Sequence, residues 1–168
     1  HLTIAGLAAQ LAHELVHLIN ASRKLYVNTA APKFEVKWLD EGLAHIAEEL
    51  LFYRESGLTS RSNLTVFDLT TASRIRNVYQ ADMSANTSRY REFLNASNSS
   101  SPYRAQDELT TRGGSWSLLR YLADRNAAAD GDVWSRLVNS SAVGIANLQG
   151  VFGKDIASLV RDWSTSLS

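Results

Sequence analysis

Three residues near the start of the chain, His13, Glu14 and His17, have the types and spacing to do chemistry. On an α-helix, residues four apart share a face about one turn, or ~5.4 Å, apart. The two imidazoles can therefore aim at one point. Glu14 projects to the side, within reach of a water held at that point. Two neutral imidazoles, a carboxylate base and an open coordination position are the parts of a hydrolytic zinc site.

The flanking residues predict the helix this requires. Ile4, Leu7, Ala8, Leu11, Leu15 and Leu18 recur at helical spacing, which predicts a buried helix from about Thr3 to Ser22. No Pro interrupts Leu2 to Ser22, and Gly6 lies well before the motif. The two residues between Glu14 and His17 are apolar, Leu15 and Val16, which suits a helix packed behind a metal better than a charged surface helix.

A zinc of this kind needs a third protein ligand. Glu41 is the candidate, in the run Trp38-Leu39-Asp40-Glu41-Gly42-Leu43-Ala44. It sits in the first turn of a second predicted helix, about Leu39 to Glu55, with Leu43, Ile46, Ala47, Leu50 and Leu51 as its apolar stripe. His45 and Glu48 follow on the face of Glu41. With Asp40, they are candidates to orient the two histidines from behind. Two other readings stand beside these. Acids such as Asp40 and Glu41 are favoured at a helix N-terminus whatever their role, and His45 also suits an ordinary helix face.

His-Glu-x-x-His followed by Trp-Leu-x-Glu-Gly-x-Ala resembles the gluzincin metallopeptidases, the group that includes thermolysin and aminopeptidase N. The resemblance implies zinc bound by His13, His17 and Glu41, with Glu14 as catalytic base. Glu48 matches an acid that the aminopeptidase pattern places seven residues after the ligand glutamate. Within the group the chain resembles the hyicolysin-like bacterial peptidases. That likeness lies in the Glu41-Gly42-Leu43-Ala44 helix, in Arg112-Gly113-Gly114-Ser115-Trp116 with Arg120-Tyr121-Leu122, and in Asp162-Trp163. The connection over residues 18–40 is longer than in thermolysin or aminopeptidase N, so loop geometry does not transfer. In gluzincins a β-sheet precedes the first helix, and its edge strand holds an extended substrate. Here only residues 1–12 precede His13. The expected fold is therefore mainly α, a zincin-like helical catalytic lobe with the upstream sheet missing, read as a piece of a larger protein.

Composition narrows the classes. A chain of 168 residues suits one domain with a real core. We take residues 1–60 as the zinc-site helices and 61–168 as a helical C-terminal part. Net charge is zero and no basic stripe is present, which argues against a nucleic-acid partner. No apolar run is long enough to span a membrane. The absence of cysteine rules out a disulfide framework or a thiolate zinc site. It is compatible with secretion, and an extracellular or cell-envelope location is the expectation.

Further along, Ala31-Pro32 ends any helix, and Phe34 to Lys37 suits a short extended piece. Residues 56–63, with Gly57, read as a loop. Asp68 is expected to cap a third helix carrying Leu69, Ala72, Ile75, Val78 and Tyr79. A short helix follows around Ser88 to Leu94. Asn95 to Pro102 is a low-complexity loop whose Asn-x-Ser sequons carry no meaning in a bacterial protein. Gly113-Gly114 is expected to open a helix through about Asn126, with Trp116, Leu119, Leu122 and Ala123 inward. Short helices are expected over Asp132–Val138, around Ile145–Leu148 and over Asp155–Ser164.

The expected reaction is hydrolysis of a peptide or protein substrate. Zinc brings the pKa of a bound water to ~7. Glu14 takes the proton and hands it to the leaving amine. The oxyanion needs a further donor. In aminopeptidases this is a tyrosine three residues before a Lys-Gly pair. The comparable pair here is Arg112-Gly113, preceded by Thr110 at that spacing. Arg112 itself and Tyr103 are the candidates, with surface or packing duty as the competing reading of each. Trp116, Tyr121 and Trp163 read as core, and His1 as a terminal residue without a role. The alternative function is a catalytically weak or inactive zincin-like binding or adhesion module. It predicts loss of the base or a ligand, whereas Glu14 and all three ligands are present. A helical domain with a fortuitous motif would bind no metal at all.

Overall fold

A computed structural model describes residues 4–32, 34–126 and 129–167, with side chains from Gly6 onward. His1, the start expected at Thr3 and the side chain of Ile4 lie outside the described residues. The architecture is mainly α-helical, with no β-strand among the described residues. The helices are α1 (Ile4–Tyr26), α2 (Lys37–Ser56), α3 (Val66–Thr71), α4 (Ser73–Val78), α5 (Ser84–Asn95), α6 (Leu109–Asn126), α7 (Asp130–Val138), α8 (Gly144–Phe152) and α9 (Ile156–Thr165). A π-helical turn, Tyr79–Met83, joins α4 to α5.

α2 is the central helix, packed on α1 along one side and on α6 along another. Buried Leu39, Leu43, Ile46 and Phe52 of α2 meet Leu118, Leu119 and Leu122 of α6 in one core. Phe93 of α5, Val133 and Leu137 of α7, Leu148 of α8 and Leu159 and Trp163 of α9 complete it. Trp116, Leu119, Leu122 and Ala123 face inward as their spacing predicts.

α1 packs differently from expectation. Its leucine stripe faces outward, with Leu7 49%, Leu11 62%, Leu15 54% and Leu18 66% exposed. The face against α2 is Ala9, His13, Asn20 and Lys24, all buried. The physical reason lies in α2, which presents Asp40, Glu41 and Glu48 to this helix. These carboxylates need partners, and His13, His17 and Asn20 of α1 pair with Glu48 and Asp40. His13 reaches Glu48, while His17, further along α1, reaches Asp40, earlier on α2. The two helices are therefore antiparallel.

Other corrections concern helix ends. In the expected extended piece Phe34–Lys37, Val36 is extended at φ −72 and ψ 144, whereas Lys37 already begins α2. Thr65, not Asp68, caps the third helix. Thr65 accepts from the Asp68 amide at 3.3 Å while Asp68 accepts from the Thr65 amide at 2.8 Å, a reciprocal capping box. That helix then breaks at Ala72, whose φ of −108 and ψ of 102 leave the helical region. Gly113 and Gly114 do not open α6; they lie inside it. A Cβ on Gly113 would stand 2.3 Å from the Arg89 carbonyl carbon and oxygen, so the glycine lets α5 and α6 touch through their backbones. Gly42 makes room on α2 for side chains of α6, where a Cβ would meet the end of the Leu119 side chain at 2.8 Å. None of the described helices is long and apolar enough to cross a membrane.

Candidate metal centre

The first turns of α2 and the middle of α1 build one cluster. His13 Nε2 lies 3.5 Å from Glu41 Oε2, and His17 Nε2 lies 3.8 Å from Glu41 Oε1. The His13 and His17 rings stand edge to face with centroids 4.8 Å apart. Each ring is held from behind by a different carboxylate. His13 Nδ1 pairs with Glu48 Oε1 at 2.7 Å, and His17 Nδ1 pairs with Asp40 Oδ2 at 2.7 Å. In the neutral ring, Nδ1–H donating to a carboxylate leaves the lone pair on Nε2, the nitrogen turned toward Glu41.

This donor set fits a zinc ion. One ligand atom each from His13, His17 and Glu41 can be chosen so that all lie within 4.8 Å of one another. Two ligands bonded at ~2.0–2.2 Å in a tetrahedron stand about 3.3 Å apart, near the 3.5 Å from His13 Nε2 to Glu41 Oε2; His17 Nε2 lies 3.8 Å from the other Glu41 oxygen. Glu41 is 2% exposed, and its Oε2 has no aligned hydrogen-bond donor although Arg112 Nη1 is 2.8 Å away. Buried acceptors without aligned donors are uncommon. His45, His13 and Glu48 form an overlapping group of possible ligands. His45 Nδ1 faces the same Glu48 carboxylate at 3.1 Å, and its Nε2 is buried without a hydrogen bond.

The electrostatics follow from these contacts. Burial works against a charge on His13, but the hydrogen bonds it donates to Glu41 and Glu48 outweigh it and lift its pKa to about 9. Burial also works against ionised Glu48; His13 and His45 prevail and bring it down to about 2. For Glu41, burial is again outweighed by His13, Lys37 and Arg112, which hold its carboxyl below the usual range. Burial pushes the His45 imidazole down. With no metal the cluster therefore carries a proton on His13, which a metal ion would displace.

The placement of the remaining candidates is mixed. Glu14 is exposed on α1 and accepts from Gln10 Nε2 at 2.6 Å. Arg112, in the first turns of α6, reaches Glu41 and is clamped by Asp107 through two hydrogen bonds of 2.6 Å. Tyr103 makes no hydrogen bond or ion pair with the three candidate ligands; its ring packs edge-on to Trp38 at 6.2 Å. Asp40 and Glu48 orient the histidines, whereas His45 hydrogen-bonds Glu48 and packs its ring against that of His13, with centroids 4.9 Å apart. Arg89 backs His45 at 3.4 Å, and Asn86 donates to the His45 carbonyl at 3.2 Å.

Sequence reasoning missed three participants. Lys37 pairs with Glu41 Oε1 at 2.8 Å, and its i,i+4 spacing was a readable signal. Asn20 donates to Asp40 Oδ1 at 2.5 Å, one turn after His17 on the same helix. Asp107 has no local signal, because a loop brings it to Arg112 and Lys37.

No protein-family model, curated protein or solved structure matches this chain.

Proposed function

We propose that the chain is the helical part of a zincin-like catalytic domain that hydrolyses peptide bonds, with zinc held by His13 Nε2, His17 Nε2 and Glu41. One observation carries this reading. Both histidines turn Nε2 toward the same buried carboxylate while separate carboxylates hold each Nδ1. A zinc ion in that position would supply Lewis-acid polarisation and an acidified water. Glu14, exposed on α1, would be the carboxylate that takes a proton and passes it to the leaving amine. Arg112 offers a fixed positive donor toward the developing oxyanion, oriented by Asp107. Asp40 and Glu48 hold the ligand rings in place through the reaction.

A second reading has one observation in its favour. Glu41 already has Lys37 and Arg112 at 2.8 Å each, so its charge is compensated without a metal. On that reading the cluster is an ion-pair network of a binding module.

Metal analysis separates the two. Protein purified without chelator and then dialysed should hold about one zinc, His17→Ala should lose it, and Glu14→Gln should keep it while losing peptidase activity against a peptide library. Full zinc occupancy in a His13→Ala/His17→Ala variant would overturn the proposal. Wild type that holds no zinc would favour the ion-pair network of a binding module, and zinc-loaded wild type that cleaves nothing in the library would remove the peptidase reading.

A further inference from the structure

A cavity of about 320 Å³ opens beside the candidate metal centre, walled by Phe34, Val36, Trp38 and Tyr103. Its walls are aromatic and aliphatic, and its volume is at the lower end of small-ligand pockets, room for one residue and not for an extended peptide. Lys37 belongs to both places. It lines the cavity, and its ammonium reaches Glu41 one helical turn further along α2. Glu35 also borders the cavity, but its carboxylate is turned to the Gly144 amide at 2.6 Å and Asn147 at 2.9 Å, with Lys24 beside it. It therefore sets no negative charge at the cavity mouth.

The charge balance indicates what enters. Lys37 and Arg112 share two carboxylates, Glu41 and Asp107. The inference rests on the zinc reading proposed above, in which the Glu41 carboxylate is committed to the metal. Asp107 is already clamped by Arg112 through two bonds of 2.6 Å and stands 3.6 Å from Lys37. The Lys37 ammonium, on a side chain 53% exposed, then has Asp107 at 3.6 Å as its nearest other anion, and its exposed side is open to a further one. A cation between a metal centre and an apolar one-residue cavity is complementary to a carboxylate on an apolar residue.

The geometry points to peptides with a free C-terminal carboxylate on an aromatic or aliphatic residue as the substrate class. The terminal side chain occupies the Phe34–Trp38–Tyr103 cavity, and the carboxylate is received by Lys37. Cleavage then falls close to that terminus.

The test is direct binding to the zinc-loaded full chain, by calorimetry, of N-acetyl-L-phenylalanine, its amide and N-acetylglycine. The acid should bind about tenfold or more tightly than the amide, as expected for a charge-assisted contact. It should also exceed N-acetylglycine by a similar factor through burial of the ring. Lys37→Met should erase the preference for acid over amide while the zinc content is unchanged, and Lys37→Gln serves as a second variant if the first does not fold. Equal binding of acid and amide, a preference that survives both Lys37 variants, or N-acetylglycine binding as well as the phenylalanine compound would each overturn the inference. Zinc is measured separately. A chain that holds no zinc removes the proposed function itself, whereas a zinc-loaded chain without the preference removes only this assignment.

Discussion

His13 Nδ1 and Glu48 Oε1 meet at 2.7 Å across a sequence separation of 35. This contact does two things. It turns Nε2 of His13 toward Glu41, and it locks α1 to α2 about two turns along α2 from the His17–Asp40 contact. Glu48 itself is steadied by His45 at 3.1 Å, so the ring orientation of His13 depends on a chain of three residues.

Glu48→Gln should therefore weaken zinc affinity about 10–100-fold, the usual cost of losing the group behind a ligand histidine. Competition against a chromophoric chelator measures it. Unchanged affinity would show that Glu48 does not orient His13 in the metal-bound state.

Glu49 supplies a pH test away from the centre. It is 2% exposed and accepts from Trp116 Nε1 at 2.7 Å. Burial pushes its pKa up from 4.5 to about 7, because Arg120 at 3.6 Å is shared with Asp124 and Asp130. Below the unfolded value both states hold the proton and there is no penalty. Between the two values the unfolded chain releases its proton and the folded chain keeps it, so stability falls as pH rises and then levels off. At about 1.4 kcal/mol per pKa unit the loss is of order 3 kcal/mol. Denaturant titrations from pH 4.5 to 7.5 should show this decline in wild type and a reduced one in Glu49→Gln. Parallel curves would mean that Glu49 titrates normally.

Gly113→Ala tests the contact between α5 and α6. In an uncrowded helix interior, alanine would stabilise by roughly 0.8–1 kcal/mol. Here the new methyl meets the Arg89 backbone, and the expected result is destabilisation of about 1–3 kcal/mol by urea unfolding. A gain in stability would show that the two helices stand further apart.

The orientation of α1 is tested by leucines on opposite sides of the protein surface. Leu18→Gln, at 66% exposure, should change stability by no more than about 0.5 kcal/mol. Leu119→Ala, fully buried in α6, should cost about 2–5 kcal/mol. Comparable losses at both positions would mean that the leucine face of α1 is buried.

Much of the centre is local, and local features are readable in a sequence. A four-residue interval on an uninterrupted helix decides that His13 and His17 share a face, whatever lies opposite. The helical spacing of α2 likewise decides that Glu41, His45 and Glu48 share a face, and the absence of strands among the described residues follows from the helical apolar spacing. Which face of α1 turns inward was not local. Its leucines spell a buried stripe, yet the carboxylates on α2 required donors, and satisfying buried charge outweighed covering four leucines. The same holds for Gly113, whose place inside α6 is set by the Arg89 backbone of another helix, and for Asp107 and Tyr103, which loops carry to Arg112 and Trp38. Residue types and spacing decided what could bind a metal; the pairing of distant charges decided which side chains surround it.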